Sequence, residues 1–192
     1  MIGRFPIYTS EIFNDHEEKW QYVLKLIKDI NEAIYEFVLN APDGTLRVMG
    51  PVRTKHGNCL VLSSPLPALF RFFILNLPNE LKSSFRSDNP FFEWTLTKEL
   101  FTPPSTYILK IYDADVISFK QLISDFSMFL GINIKPKYLF ASMKVDRTNT
   151  YITIRTLNED ASALMKFSRY AGFGENRKYG FGDVEVFEVG EE

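Results

Sequence analysis

Apolar residues along this chain switch between a period of two and a period of three to four, and the switches mark out two similar halves. Residues 4–10 read as a short strand. Asn14 or Asp15 then suits a helix cap, with Glu17 and Glu18 in the first turn, where the helix dipole favours acids. Trp20, Val23, Leu24, Ile27, Ile30, Ile34, Phe37 and Val38 follow at three- and four-residue intervals. They predict one long amphipathic helix that stops before Pro42, Asp43 and Gly44. Residues 46–53 and 58–63 read as strands joined by a tight turn at 54–57. A second helix begins after Pro65, packs through Leu66, Leu69, Phe70, Phe73, Ile74 and Leu77, and breaks at Pro78. Residues 91–101 close the half as a strand, ended by Pro103 and Pro104.

The same order returns without residue identity. A strand at 107–112 precedes a helix at 116–130, with Phe119, Leu122, Ile123, Phe126 and Leu130 inward and Gly131 past its end. Strands 138–145 and 151–157 form a hairpin across 146–150. Asn158 caps a helix through Ala171, and residues 184–188 form the last strand. The predicted fold is therefore α+β, with the ferredoxin-like βαββαβ motif twice, each antiparallel sheet carrying its helices on one face. The halves divide as residues 1–102 and 105–192.

This topology brings remote residues to one edge. In each half the end of the first strand, the start of the first helix, the turn between the second and third strands, and the exit of the second helix should lie together. In the first half that edge holds His16 and the Lys55–His56 turn; in the second it holds Arg147 and a glycine-rich stretch.

Composition narrows the chemistry. The net charge of −2 argues against wholesale coating of nucleic acid, yet between Lys135 and Lys178 nine basic residues face four acidic ones. The rings, 18 Phe, 9 Tyr and 2 Trp, suit either a core or a platform for bases. The single Cys59 excludes an intrachain disulfide framework and a cysteine-based zinc site. No acidic or histidine cluster has the spacing of a metal site. The N-terminal residues lack the basic flank and apolar run of a signal peptide, and no apolar run is long enough to span a bilayer, so a cytoplasmic location is expected, with no membrane partner.

The strongest local signal is GFGENRKYGFG at 172–182. Gly172, Gly174, Gly180 and Gly182 pair around Phe173 and Phe181, with Arg177 and Lys178 between. Gly172 suits the end of a helix, while exposed amides with two cations suit a phosphate cradle. The alternative is a helix cap followed by an unrelated turn. A dinucleotide-binding fingerprint does not fit, because this loop leaves a helix and enters a strand.

With this motif, the chain resembles the CRISPR-associated endoribonucleases of the repeat-associated mysterious protein (RAMP) superfamily, which process precursor CRISPR RNA. In them a glycine–hydrophobic–glycine pair, five residues including a basic one, and a second such pair lie between the last helix and last strand of a tandem ferredoxin-like fold. The resemblance in element order covers nearly the whole chain; at residue level it is confined to the last third.

The resemblance implies metal-independent cleavage of CRISPR repeat RNA into mature crRNA, by attack of a ribose 2′-hydroxyl on the adjacent phosphate and without a cofactor. Repeat RNA and other CRISPR-associated proteins would be the partners. Such chemistry needs a base, an acid and cations for the crowded phosphate. His16, where relatives place a histidine, is one candidate base; His56 is the other. Each has an ordinary polar reading, in the capping region or in a turn. Lys19, one turn after His16, is a candidate phosphate stabiliser or a solvated helix lysine. Lys144, Arg147 and Arg155 make the hairpin a candidate surface for an RNA stem. The alternative function is a non-catalytic crRNA-binding RAMP subunit of an interference complex, and a third reading has no RNA role.

Overall fold

The computed structural model of the chain describes residues 1–54, 57–78 and 89–190. It contains two four-stranded antiparallel sheets, each ordered as the ferredoxin-like motif requires, in two compact units. One unit comprises Met1–Trp94 together with Asn176–Gly180; the other comprises Thr95–Glu175 and Phe181–Glu192. The halves expected from the sequence are residues 1–102 and 105–192, with the whole glycine loop in the second.

In the first unit the sheet order is β2-β3-β1-β4, from β1 (Ile2–Thr9), β2 (Arg47–Thr54), β3 (Gly57–Ser64) and β4 (Glu93–Thr95). The helices are α1 (His16–Ile30), α2 (Glu32–Asn40) and α3 (Pro67–Asn76). The single long helix expected from periodicity is thus two. Asn31 is extended, at φ −163°; its amide donates to the Ile27 carbonyl, and its side chain accepts from the Ile34 amide at 3.0 Å. An asparagine offers the backbone a local alternative to the helix, and here one residue ends one helix and caps the next. The break resets the phase of the apolar stripe. Val23, Leu24 and Ile27 are buried, whereas Phe37, expected inward, is 46% exposed.

Phe5 and Ile7 of β1, Leu60 and Leu62 of β3, the α1 stripe, and Phe70 and Phe73 of α3 form one core. On the other face of this sheet Met49, Cys59 and Val61 are buried too, with Tyr8 and Phe91 packed against them. The strand expected at 91–101 is much shorter. β4 covers three residues, and Thr97–Leu100 is a 3-10 turn in which the Glu99 carboxylate accepts the Leu96 amide at 3.0 Å. A glutamate that caps a turn from within competes with strand pairing.

The second unit orders its sheet β6-β7-β5-β8, from β5 (Thr106–Tyr112), β6 (Tyr138–Asp146), β7 (Asn149–Thr156) and β8 (Asp183–Val189). Its helices are α4 (Phe119–Leu130) and α5 (Glu159–Ala171). Helix α4 starts three residues later than expected because the Ser118 hydroxyl accepts the Gln121 amide and caps it. Gly131, left-handed at φ 68°, ends it, and Asn158 caps α5; both follow the sequence. Tyr107, Leu109, Ile111, Ile152 and Ile154 are buried, and Phe126 and Phe167, centroids 4.9 Å apart, join α4 to α5. Among the described residues no helix is long and apolar enough to cross a membrane.

Candidate nucleic-acid interface

The shared edge expected from topology takes shape in the second unit; in the first, the described residues show only its β1 and β3 ends meeting. In the first, Asn58 of β3 donates to the Glu11 carbonyl just beyond β1, and α1 begins at His16. Lys55 and His56 lie outside the described residues. In the second unit, the Asp113 amide after β5 donates to the Thr148 carbonyl in the β6–β7 turn. Two residues on, the Asp115 carboxylate accepts the Glu175 amide at 3.0 Å, which holds its pKa below the usual carboxylate range. Arg147 sits in that turn, exposed, with φ 56°.

The glycine loop is built by close packing of the protein on itself. All four glycines have positive φ. Gly172 ends α5, and the Phe173 amide closes the loop on the Gly182 carbonyl at 2.9 Å. A Cβ on Gly174 would lie 2.2 Å from Asp115 Oδ1, and one on Gly180 would lie 2.8 Å from the Val48 carbonyl oxygen. These glycines therefore admit the chain's own atoms.

Between them, Arg177–Tyr179 forms a 3-10 turn entered through left-handed Asn176. Its two leading amides are aligned as an anion-binding nest. The carboxylate of Asp43 fills that nest: Oδ2 accepts the Arg177 amide at 3.0 Å and Oδ1 the Lys178 amide at 2.9 Å. The Arg177 guanidinium, 3% exposed, closes on the same residue, with Nη2 2.7 Å from the Asp43 carbonyl oxygen. The guanidinium expected to face phosphate is thus turned inward on Asp43 here. Gly44 makes room for it, since a Cβ there would lie 2.7 Å from the guanidinium carbon.

Lys178 points to the other side, its ammonium 5.9 Å from the Trp20 ring and 4.8 Å from the Tyr179 ring. The Tyr179 hydroxyl donates to Glu17, beside His16 in the first turn of α1. That bond lowers the Glu17 pKa and raises that of Tyr179. His16 is exposed at the first helical position, after the Asp15 cap.

Lys19 is buried rather than solvated. Its ammonium donates to the Gly50 carbonyl at 2.8 Å and the Tyr179 carbonyl at 3.0 Å, tying α1 to β2 and to the loop. Both acceptors are uncharged, and burial pushes the Lys19 pKa down to about 8. Because the folded pKa lies below that of a free lysine, holding the charge is costly below pH 8, and the cost fades as pH rises toward the free value. The protein should therefore gain stability from about pH 8 to about 10.5, by at most about 3 kcal/mol, and urea titrations of Lys19→Met should lack that gain.

Lys144, Arg147 and Arg155 are all exposed on the hairpin. Lys144 stands opposite Tyr151, and Arg155 opposite Leu139. Among the described residues no group of His, Cys, Asp and Glu could hold a metal ion. Burial raises the Cys59 thiol to about 11, which keeps it protonated. Residues that sequence reasoning did not single out for the site are Asp43, Tyr179, Trp20 and Asp115. Tyr179 lies inside the glycine motif, which is its signal in the sequence; Asp43 reads there only as part of a helix stop.

No family model and no curated protein matches the chain. Solved structures do. A Cas6 product complex superposes with a TM-score of 0.68 at 14% identity, over 97% of this chain and 100% of that one. A second Cas6 product complex gives 0.65 at 14% identity, over 97% and 99%. Cas6 of Thermus thermophilus gives 0.62 at 11% identity, over 97% of each chain. From end to end, the described elements make up the tandem ferredoxin-like fold of the Cas6 proteins.

Proposed function

We propose that this protein is a metal-independent endoribonuclease that cleaves CRISPR repeat RNA within the repeat. The observation that carries the reading is the docking of the loop's Arg177–Tyr179 turn on the first turn of α1, where Tyr179 bonds Glu17 beside His16. The fold likeness to Cas6 structures solved with product and with a substrate mimic supports it, as does a Cas6 of this fold studied as a histidine-to-alanine mutant.

In this reading His16 takes the proton of the ribose 2′-hydroxyl. The oxygen attacks the adjacent phosphorus, the bond to the 5′-oxygen breaks, and that oxygen takes a proton from solvent water as it leaves, giving a 2′,3′-cyclic phosphate and a 5′-hydroxyl. Lys178 meets the phosphate charge, and Glu175 and Asn176, the exposed tip of the loop, offer backbone contact. Gly172, Gly174, Gly180 and Gly182 shape that tip. Lys19 and Arg177 act as positioning residues for the loop. Lys144, Arg147 and Arg155 take the RNA stem.

Cleavage of labelled repeat RNA in EDTA tests this. His16→Ala should slow cleavage by roughly a hundredfold or more, the usual contribution of a general base, with binding retained. If His16→Ala is fully active and His56→Ala is not, His56 is the base. Full activity in both variants removes the histidine mechanism. Binding without cleavage by the wild type establishes the structural-subunit alternative.

A further inference from the structure

In the cleavage reading the Lys178 ammonium meets the phosphate, yet a lysine rides on a flexible stem and samples many positions unless something holds it. The loop and α1 hold this one. Its ammonium lies 4.8 Å from the Tyr179 ring centroid and 5.9 Å from that of Trp20. The two rings meet edge to face, with centroids 6.5 Å apart and planes at 86°. A cation within about 6 Å of a ring face is drawn to it by the ring quadrupole, so the pair of rings makes a seat for the ammonium.

Both walls of the seat are fixed. Trp20, 5% exposed, belongs to the core of the first unit. Tyr179 is held along its whole length: its carbonyl accepts the Lys19 ammonium at 3.0 Å, its ring meets Trp20, and its hydroxyl donates to Glu17. His16 and Trp20 are four residues apart in α1, which makes them neighbours on one helix face, with Cβ atoms about 5–6 Å apart. A cation seated against Trp20 therefore stands toward the face that His16 shares. Lys178 is itself half-buried, and its charge acts on both partners of the Tyr179–Glu17 bond.

From this arrangement we infer that Tyr179 is a positioning residue for cleavage: anchored by Lys19, Trp20 and Glu17, it seats the Lys178 ammonium beside His16, where charge builds up on the phosphate. Tyr179 touches neither the attacking oxygen nor the phosphate; it acts through Lys178. The inference rests on the RNA-processing reading and deepens it by naming what fixes the cation. A cation already in place needs no reorganisation as the crowded phosphate forms, so the benefit falls on kcat rather than on RNA binding. A tyrosine that only packed the loop would change stability, and its effect on cleavage would not depend on the residue at position 178.

Cleavage kinetics on repeat RNA in EDTA, together with melting temperatures and proton–carbon correlation spectra of Lys178, test it. In the wild type, ring currents should shift the Lys178 Cε protons upfield, and Tyr179→Leu should return them toward their ordinary position; unshifted protons in the wild type overturn the seat. Tyr179→Leu should lower kcat roughly tenfold with KM within about twofold of the wild type. Tyr179→Phe keeps the ring and should lose less, as should Glu17→Gln, which still accepts the hydroxyl, beside Glu17→Ala. In a Lys178→Ala background, adding Tyr179→Leu should cost nothing further, because the group through which Tyr179 acts is gone. Losses that multiply in that double variant, or Tyr179 variants that lower the melting temperature and leave kcat alone, overturn the positioning role while the processing reading stands. A wild type that shows the shifted protons and cleaves no repeat RNA overturns the role and the processing reading together.

Discussion

Asp43→Ala is expected to destabilise the protein by about 3 kcal/mol, far beyond the effect of a typical surface carboxylate. Asp43 is itself about one-third exposed, but its partner Arg177 is almost completely buried. Removing the acid takes the Asp43 carboxylate away from a buried guanidinium and leaves the Arg177 and Lys178 amides without their acceptors. Arg177→Met removes the cation and keeps most of the packing, so it should cost less. In Asp43→Ala/Arg177→Met the buried guanidinium is absent too, and the loss should fall well short of the sum of the singles. Urea denaturation of the four proteins measures this. Additive losses, or a loss below about 1 kcal/mol for Asp43→Ala, would show that the pair does not hold the loop.

Gly182→Ala carries the second large effect, and the chain supplies its own control. Gly182 and Gly131 have nearly the same positive φ, at 64° and 68°. A Cβ on Gly131 meets nothing within 4 Å, so Gly131→Ala should cost only the left-handed penalty of about 1–2 kcal/mol. A Cβ on Gly182 would sit 1.7 Å from the Phe173 carbonyl oxygen, which is backbone and cannot rotate away. Phe173 is itself fixed, 2% exposed and packed on Phe119 with centroids 5.2 Å apart. Gly182→Ala should therefore cost at least about 2 kcal/mol more than Gly131→Ala, through strain at a constrained backbone. Equal melting temperatures for the two variants would mean that the loop relaxes freely around position 182.

The fold was legible where local chemistry and periodicity agree. β5 alternates throughout and β7 from Tyr151 onward, Gly131 and Asn158 sit where a helix end and a helix start need them, and both sheets have the expected strand order. It was less legible where a polar side chain redirects the backbone. Asn31 splits a helix whose apolar spacing runs through it, and Glu99 folds back on Leu96 where alternation had suggested a strand. Periodicity measures which faces are apolar; it does not weigh a side chain's local bond against the next backbone bond.

For the site, the sequence by itself determined the existence of the loop, its place between the last helix and last strand, and a glycine at the end of that helix. Tertiary structure alone decided what those features face. The close approaches at Gly174, Gly180 and Gly182 are to the protein's own atoms, the nest at Arg177 and Lys178 holds Asp43, and Lys19 is buried against two carbonyls. The reason is physical: a glycine or a cation states what it tolerates or attracts, but its partner comes from chain 134 residues away, and only folding brings that carboxylate into reach.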